Sequence, residues 1–506
     1  MQPETAYTEL LRRARERALL VSCANLLEWD EETGMPPAGV EARSEQRALL
    51  AGLIHERATD PRLGELLDEA QGFAPPAEPD SAAAVNVREL ARDFARATCL
   101  PRALVEETAR TAALAQQEWA AARKAADFRR FEPWLARMVA LKREAAAALS
   151  AGNGSGGDPY DALLDEWEPG MTCRELEALF AALRQELVPL AAALAAAPRK
   201  PDTSLLRRAF PVERQRAWGA EIAAVLGFDF ARGRLDDSVH PFCMGVAPGD
   251  CRLTARYQES YFPDGLFGIL HEVGHGLYEQ GLDPQSFGAP MGEAASLGIH
   301  ESQSRLWENL VGRSFPFWER FYPAARETFP ALSDVALDDF YLAVNQVAPS
   351  LNRVQADEVT YNLHVLVRFD LERALLSGDL PVAELPAAWN RAYAEVLGIT
   401  PQNDAEGCLQ DVHWSTGMFG YFPTYTLGNV CAAQLFAAAE AELPDLAGDF
   451  RQGRFAPLLG WLRQRVHRHG RRYRAAELLR HATGAPPQPG PFLARLRAKY
   501  RELYGL

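Results

Sequence analysis

Leucine, alanine, glutamate and arginine dominate most of this chain, and in long stretches apolar residues recur three and four apart, as at Leu10, Leu11, Ala14, Ala18 and Leu19. That period gathers apolar side chains on one face of an α-helix, so the expected fold is mostly α. The Ala-rich run Leu187 to Ala197 is expected as helix, kinked or restarted at Pro189 and stopped by the PRKPD that follows. One stretch departs from the pattern. In Ser238 to Gln258, two runs holding Val, Phe, Met, Leu, Thr and Tyr flank Ala-Pro-Gly-Asp, which predicts a β-hairpin. No fixed-period repeat is present. A length of 506 residues accommodates about three average domains or one large unit. We read residues 1–506 as a single domain, with the Gly-rich Ala151 to Tyr160, and 151–158 in particular, as the one place for a subdivision.

Hydrophobic residues at 48% and charged residues at 24% fit a folded soluble protein. The net charge of −15 disfavours a nucleic-acid partner unless the basic residues cluster. They cluster only between Arg451 and Arg480, where apolar residues interleave, and that stretch is read as a solvated helix face. The seven cysteines are scattered without a CxxC pair, so neither a disulfide framework nor a thiolate zinc site is expected. The N-terminus lacks a basic region followed by an apolar signal core, and no run of about 18 apolar residues occurs. The expected compartment is the cytoplasm, with no membrane partner.

The most informative segment directly follows the predicted hairpin. Tyr261 to Gly281 contains His271-Glu272-Val273-Gly274-His275 in a run whose apolar positions have helical spacing, with Asp264 as expected N-cap and Gly281 as stop. Histidines four apart lie one turn apart on one face, so both imidazoles can chelate one Zn²⁺. Glu272 can take a proton from water at that metal and pass it to a leaving amine. Gly274 and Gly276 are poor helix formers, which points to a close-packed neighbour that needs the space.

A catalytic zinc site normally has three protein ligands and an open position. The metzincin extension requires Gly at 278 and His at 281; this chain has Tyr278 and Gly281, so that class is excluded. A second helical segment, Met291 to Gly312, carries His300-Glu301-Ser302-Gln303, and Glu301 is the expected third ligand. Glu293 and Glu308 compete but read as surface carboxylates, and His300 is a rival ligand or a partner of one.

Six blocks then match one family in order: His240-Pro241-Phe242, Asp250-Cys251-Arg252-Leu253-Thr254 (DxRxT), HEVGH at 271 to 275, His300-Glu301-Ser302-Gln303, Arg353-Val354-Gln355-Ala356-Asp357 (RxxAD) and Gly407-Cys408-Leu409-Gln410-Asp411-Val412-His413-Trp414 (GxxQDxHW). With Leu26 to Arg43, these make the chain resemble the thermostable carboxypeptidase Taq family of metallocarboxypeptidases over nearly its whole length. Asn352 departs from the family's Ile or Val before the arginine. The resemblance implies a large, mostly α, neurolysin-like peptidase fold with a central groove and a small β-hairpin at the active site. It also implies a homodimer, a single metallocarboxypeptidase catalytic domain, activity with Zn²⁺ or Co²⁺, and release of single C-terminal amino acids with broad specificity and poor cleavage beside proline.

Roles follow from chemistry and resemblance together. A free C-terminal carboxylate calls for a bidentate, permanently charged partner, and Arg353 is the family-matched residue; an ordinary ion pair with Asp357 is the alternative. His413 and Tyr425 are candidates to stabilise the oxyanion, with Tyr421 a rival for the latter. His240 and Asp250 flank the hairpin and are expected to order the substrate-binding wall, and Arg252 to brace Asp250. His364 reads as a packed core histidine, whereas His55, His467, His469 and His481 have no supporting constellation.

Overall fold

Where the sequence promises helices the chain makes them, from Pro3–Thr33 to Gly490–Tyr504. The computed structural model describes residues 2–73, 78–152 and 158–506. The chain divides into two compact units. The first comprises Met1–Ala97, Pro201–Asn345 and Cys431–Pro487, the second Thr98–Lys200, Gln346–Val430 and Gln488–Leu506. Of the Ala151 to Tyr160 segment, residues 153–157 lie outside the described residues.

In the second unit, the helix Cys173–Ala196 starts at a capping box, in which the Thr172 N–H donates to Glu175 and Thr172 Oγ1 accepts from the Glu175 N–H. It runs unbroken through Pro189, so the expected restart does not occur; buried side chains from Cys173 to Leu194 at helical spacing carry it past the missing N–H. By length and composition it is the one described helix apolar enough to cross a membrane, and here it packs on Thr360–Ser377 and Gly490–Tyr504.

The first unit contains the only sheet among the described residues. The predicted hairpin forms as β2 (Cys243–Ala247) and β3 (Asp250–Ala255), antiparallel, turning at Pro248-Gly249 with Gly249 at φ +89. A strand the sequence did not announce, β1 (Gly233–Asp237), pairs parallel to β3, giving the order β1-β3-β2. Its sequence GRLDD has neither β-branched residues nor alternation, so no local signal marks it. Central β3 buries Cys251, Leu253 and Ala255 against the helix Phe262–Glu279.

That helix is buried nearly all round. The residues not fully buried are Asp264, Gly268, His271, His275 and Glu279, a single stripe at helical spacing. Its N-cap is Tyr261 rather than Asp264, with Pro263 in the first turn; Asp264 instead accepts from Arg256 (3.0 Å) and from Gln258 Nε2 (2.5 Å). On the opposite side Phe262 joins an aromatic core with Trp218, Trp318, Phe329 and Phe340, ring centroids 4.6 to 6.2 Å apart in the pairs Trp318–Phe340 and Trp218–Phe262.

The basic stretch is solvated in part: Arg451, Arg454, Arg463, Arg468 and Arg480 are exposed. His467 and His469 are buried, and Arg471 reaches Asp93 (2.7 Å), Glu89 (3.1 Å) and Glu293 (3.0 Å) within the first unit. All seven cysteines are free.

Candidate metal centre

Both histidines of HEVGH project from the exposed stripe, and Glu301 comes from the facing helix Leu297–Arg305, whose N-cap Ser296 Oγ accepts from the Ile299 N–H at 3.1 Å. Glu301 Oε2 lies 3.8 Å from His271 Nε2 and 3.6 Å from His275 Nε2. The three residues each offer a ligand atom within 4.8 Å of the others. Ligands about 2 Å from one tetrahedral Zn²⁺ stand about 3.4 Å apart, so the set fits a single divalent ion with a position left open. The predicted ligands therefore converge as a group, and His300 is not among them.

The glycine between the histidines makes this approach feasible. A Cβ on Gly274 would lie 2.5 Å from both the Gln303 carbonyl oxygen and Ser304 Cα, so only glycine lets the Glu301 helix come this near. A Cβ on Gly276 would lie 2.8 Å from the Phe228 ring and 2.9 Å from Leu253, which locks the same helix onto the sheet. Both glycines have the close-packed neighbours their helix cost implied.

Each histidine is held through Nδ1, which leaves Nε2 facing Glu301. His271 Nδ1 lies 3.0 Å from Glu308 Oε2. Glu308 is thus not the surface carboxylate expected from sequence. It sits on a π-turn, Leu306–Val311, that continues the Glu301 helix, and Arg305 (3.3 Å) and Arg313 (3.5 Å) clamp it. Burial alone would raise its carboxyl, but the His271 hydrogen bond and the two guanidiniums hold it at about 2. Arg305 Nε also donates to Glu301 Oε1 at 2.7 Å, leaving Oε2 facing the two histidines. The spacing Glu301, Arg305, Glu308 is one helix face, a signal that was available in the sequence. Glu293 is the exposed carboxylate expected, paired with Arg471. On the other histidine, His275 Nδ1 lies 2.6 Å from His300 Nδ1, and His300 Nε2 lies 2.8 Å from Glu279 Oε1.

Electrostatics sort the carboxylates. Glu272 is buried, and burial, reinforced by Glu301 and Glu308 against the pull of His271, pushes its carboxyl up to about 7. Burial, with His300, His271 and Arg305 nearby, drives His275 well below its ordinary value, so its imidazole is neutral. Burial acts the same way on His271, but the Glu301 and Glu308 carboxylates outweigh it and raise that imidazole.

The hairpin residues take structural posts. Asp250 opens β3 and receives a bidentate pair from Arg252, both bonds 2.9 Å, while that guanidinium stacks 4.2 Å over Trp29. His240 is exposed; its carbonyl accepts from Ser238 Oγ at 2.7 Å, and Ser238 Oγ lies 2.7 Å from Thr254 Oγ1, whose hydroxyl can donate to it, so Thr254 of DxRxT ties down the loop that carries His240.

The remaining candidates lie in the second unit. Arg353 is buried in a short turn, Arg353–Gln355, with Nε and Nη2 both on Asp411 Oδ1 (3.2 and 2.9 Å), Nη1 on Tyr361 OH (3.0 Å) and its guanidinium 4.7 Å over Tyr425. The ion pair with Asp357 does not form: Asp357 caps Thr360–Ser377, accepting from the N–H groups of Val359 and Thr360. Asn352 is exposed, and its Oδ1 accepts from the Val354 N–H at 3.0 Å, capping the turn that presents Arg353. Asp411 also takes Arg368 Nε at 2.7 Å; burial opposes its charge, yet the two arginines hold it far below the carboxylate range. His413 Nε2 lies 3.3 Å from Tyr425 OH, and burial drives the imidazole down to about 3. The Tyr421 ring lies 5.3 Å from that of His413, tilted by 53°. His364 is a core histidine, 2.9 Å from Tyr393 OH. Sequence reasoning missed Asp411 as the partner of Arg353, and Arg368 as the second arginine on it, because a pairing across 58 residues leaves no local pattern.

Residues 9–500 match the family described as carboxypeptidase Taq (M32) metallopeptidase. The chain is 51% identical to thermostable carboxypeptidase 1 of Thermus thermophilus, covering all of both chains, and 38% identical to carboxypeptidase 1 of Bacillus subtilis over 99% of this chain and 98% of that one. Its fold is similar to the crystal structure of an M32 carboxypeptidase from Deinococcus radiodurans, with TM-score 0.95 and 44% identity over 99% of this chain and 100% of the other. A Pyrococcus furiosus carboxypeptidase structure, at 36% identity and TM-score 0.93, covers 98% of this chain and 99% of its own.

Proposed function

The chain belongs to the carboxypeptidase Taq (M32) metallopeptidase family and is a metallocarboxypeptidase, and from that premise we propose that it removes single C-terminal amino acids with broad specificity, using Glu272 as general base beside a zinc ion held by His271, His275 and Glu301. The observation that carries this reading is the convergence of ligand atoms from His271, His275 and Glu301 within 4.8 Å, beside the buried Glu272. When bound, Zn²⁺, or Co²⁺ in its place, supplies polarisation of the scissile carbonyl and acidifies the attacking water.

Glu272 takes the proton of that water and delivers it to the leaving amine. Burial raises its carboxyl above the ordinary range, which strengthens it as the base that takes the proton. Arg305 orients Glu301 and Glu308 orients His271, so the ligands stand preorganised. The roles of the second unit rest on motif resemblance and local chemistry. Arg353 receives the terminal carboxylate; it shares Asp411 with Arg368, so two cations face one anion and positive charge is left over for an acid. His413, neutral, and Tyr425 provide N–H and O–H donors for the oxyanion. His240 and Asp250 order the substrate-binding wall. The enzyme acts on free C-terminal peptides as a cytoplasmic homodimer.

The test is amino-acid release from an N-blocked peptide and from its C-terminal amide, by chelated protein before and after Zn²⁺ or Co²⁺ is restored. Sequential, metal-dependent release from the free acid alone is expected. Internal cleavage of both peptides would remove Arg353 from its role, and no metal-dependent cleavage of either would remove the zinc reading.

A further inference from the structure

Glu279 and His300 belong neither to the ligand set nor to the chemistry above, yet both are joined to it. Glu279 lies one turn beyond His275 on the same helix, and His300 directly precedes Glu301. His300 Nε2 is 2.8 Å from Glu279 Oε1, and His300 Nδ1 is 2.6 Å from His275 Nδ1. The direction of these bonds follows from the far end. A carboxylate only accepts, so the proton on that side belongs to His300 Nε2. With its hydrogen on Nε2, His300 offers Nδ1 as an acceptor, and the proton between the two Nδ1 atoms is donated by His275. His275 Nε2 is thereby left with its lone pair toward Glu301 and the metal position, the form in which a histidine coordinates.

The pair is built into the fold. A Cβ on Gly245 of β2 would lie 2.3 Å from Glu279 Oε2, so glycine at that strand position makes room for the carboxylate. Its carbonyl is held by Asn25 Nδ2 at 3.4 Å. His300 is wedged between the rings of His275 (4.6 Å) and Tyr278 (5.2 Å), which fixes its plane. The two ligand histidines are thus oriented differently: His271 by a carboxylate directly, His275 by a carboxylate acting through a second imidazole.

We propose that Glu279 and His300 are positioning residues that form a relay setting the tautomer of His275, and that this relay sets how tightly the site holds its metal. The proposal rests on the zinc reading of His271, His275 and Glu301.

The experiment measures Zn²⁺ and Co²⁺ affinity of the full chain by chelator competition, with the Co²⁺ absorption spectrum as a second readout, for wild type, His300→Leu, His300→Asn, Glu279→Gln and the Glu279→Gln/His300→Asn double variant. Loss of an outer partner of a metal-bound histidine weakens binding about 10- to 100-fold, the fall expected for His300→Leu. An asparagine Oδ1 stands where His300 Nδ1 stands and can accept from His275, so His300→Asn is expected to restore affinity and spectrum. Glu279→Gln lets the amide donate to His300 and reverse the tautomer, so it should weaken binding alone but add nothing in the His300→Asn background. Equal losses from Glu279→Gln in both backgrounds, or His300→Asn no better than His300→Leu, would overturn the relay. Wild-type affinity in His300→Leu, with wild type binding one ion, would overturn the relay and leave the metal centre standing. Failure of wild type to bind an ion would overturn both.

Discussion

Gly274 and Ser304 are packed so closely that a methyl group on the glycine would lie 2.5 Å from Ser304 Cα. The obstacle is backbone, which cannot swing aside as a side chain can, and behind it stands Glu301. Gly274→Ala should therefore force the two helices apart, destabilising the protein by about 1–3 kcal/mol, the usual range for overpacking. The measurable signature is joint: a lower Tm and weaker Zn²⁺ binding in the same variant. A Gly274→Ala protein with wild-type metal affinity would show that the approach of these helices is not what assembles the ligands.

Glu272→Gln separates binding from chemistry. The amide is isosteric and Glu272 is not a ligand, so one ion per chain should still bind. Turnover should fall by at least about 10²-fold, the lower end of what a general base contributes. Metal content by atomic absorption, read beside kcat on a free-acid peptide, checks both halves, and full activity would refute the assignment.

For Arg353 the contrast lies between substrates. Arg353→Lys keeps a charge beside Asp411 but loses the planar fork that now spends Nε and Nη2 on Asp411 Oδ1 and Nη1 on Tyr361. The expected loss in kcat/KM on free-acid peptides is about 10²-fold, or about 2.7 kcal/mol of transition-state binding, while the amides stay uncleaved as in wild type. Wild-type kcat/KM on the free acid would reduce Arg353 to a structural cation.

How far the sequence disclosed these features depends on the distance over which each is encoded. HEVGH is contiguous and Glu301 sits in a segment of helical period, so the three residues that converge could be read from local spacing. Glu308 shares the Glu301 face with Arg305, a local signal, but reads as a surface acid because its partner His271 lies 37 residues away. Strand β1 owes its existence to pairing with β3 rather than to its own residues, and the Arg353–Asp411–Arg368 fork is assembled by tertiary contact alone. Within the Arg451 to Arg480 stretch Arg471 departs from the solvated face for the same reason: its acids arrive from residues 89, 93 and 293.

His467 from that stretch gives a prediction in pH. It is fully buried, its Nε2 lies 3.0 Å from Gln303 Oε1, and its Nδ1 faces Gly281, where a Cβ would come within 2.3 Å. Burial, with Arg463 and His300 adding to it, drives its imidazole down to about 3, against about 6.5 in the unfolded chain. Above 6.5 both states are neutral and the contribution to stability is complete. Between about 6.5 and 3 the unfolded chain takes up a proton that the folded one refuses, so stability falls with pH at about 1.4 kcal/mol per unit from this group. His467→Gln keeps a hydrogen bond to Gln303 but cannot titrate. Its deficit against wild type at pH 7 should therefore shrink as the pH is lowered to 4, measured by urea unfolding of the two proteins side by side. A gap that stays constant from pH 7 to 4 would mean that His467 accepts its proton in the folded state as readily as in the unfolded one.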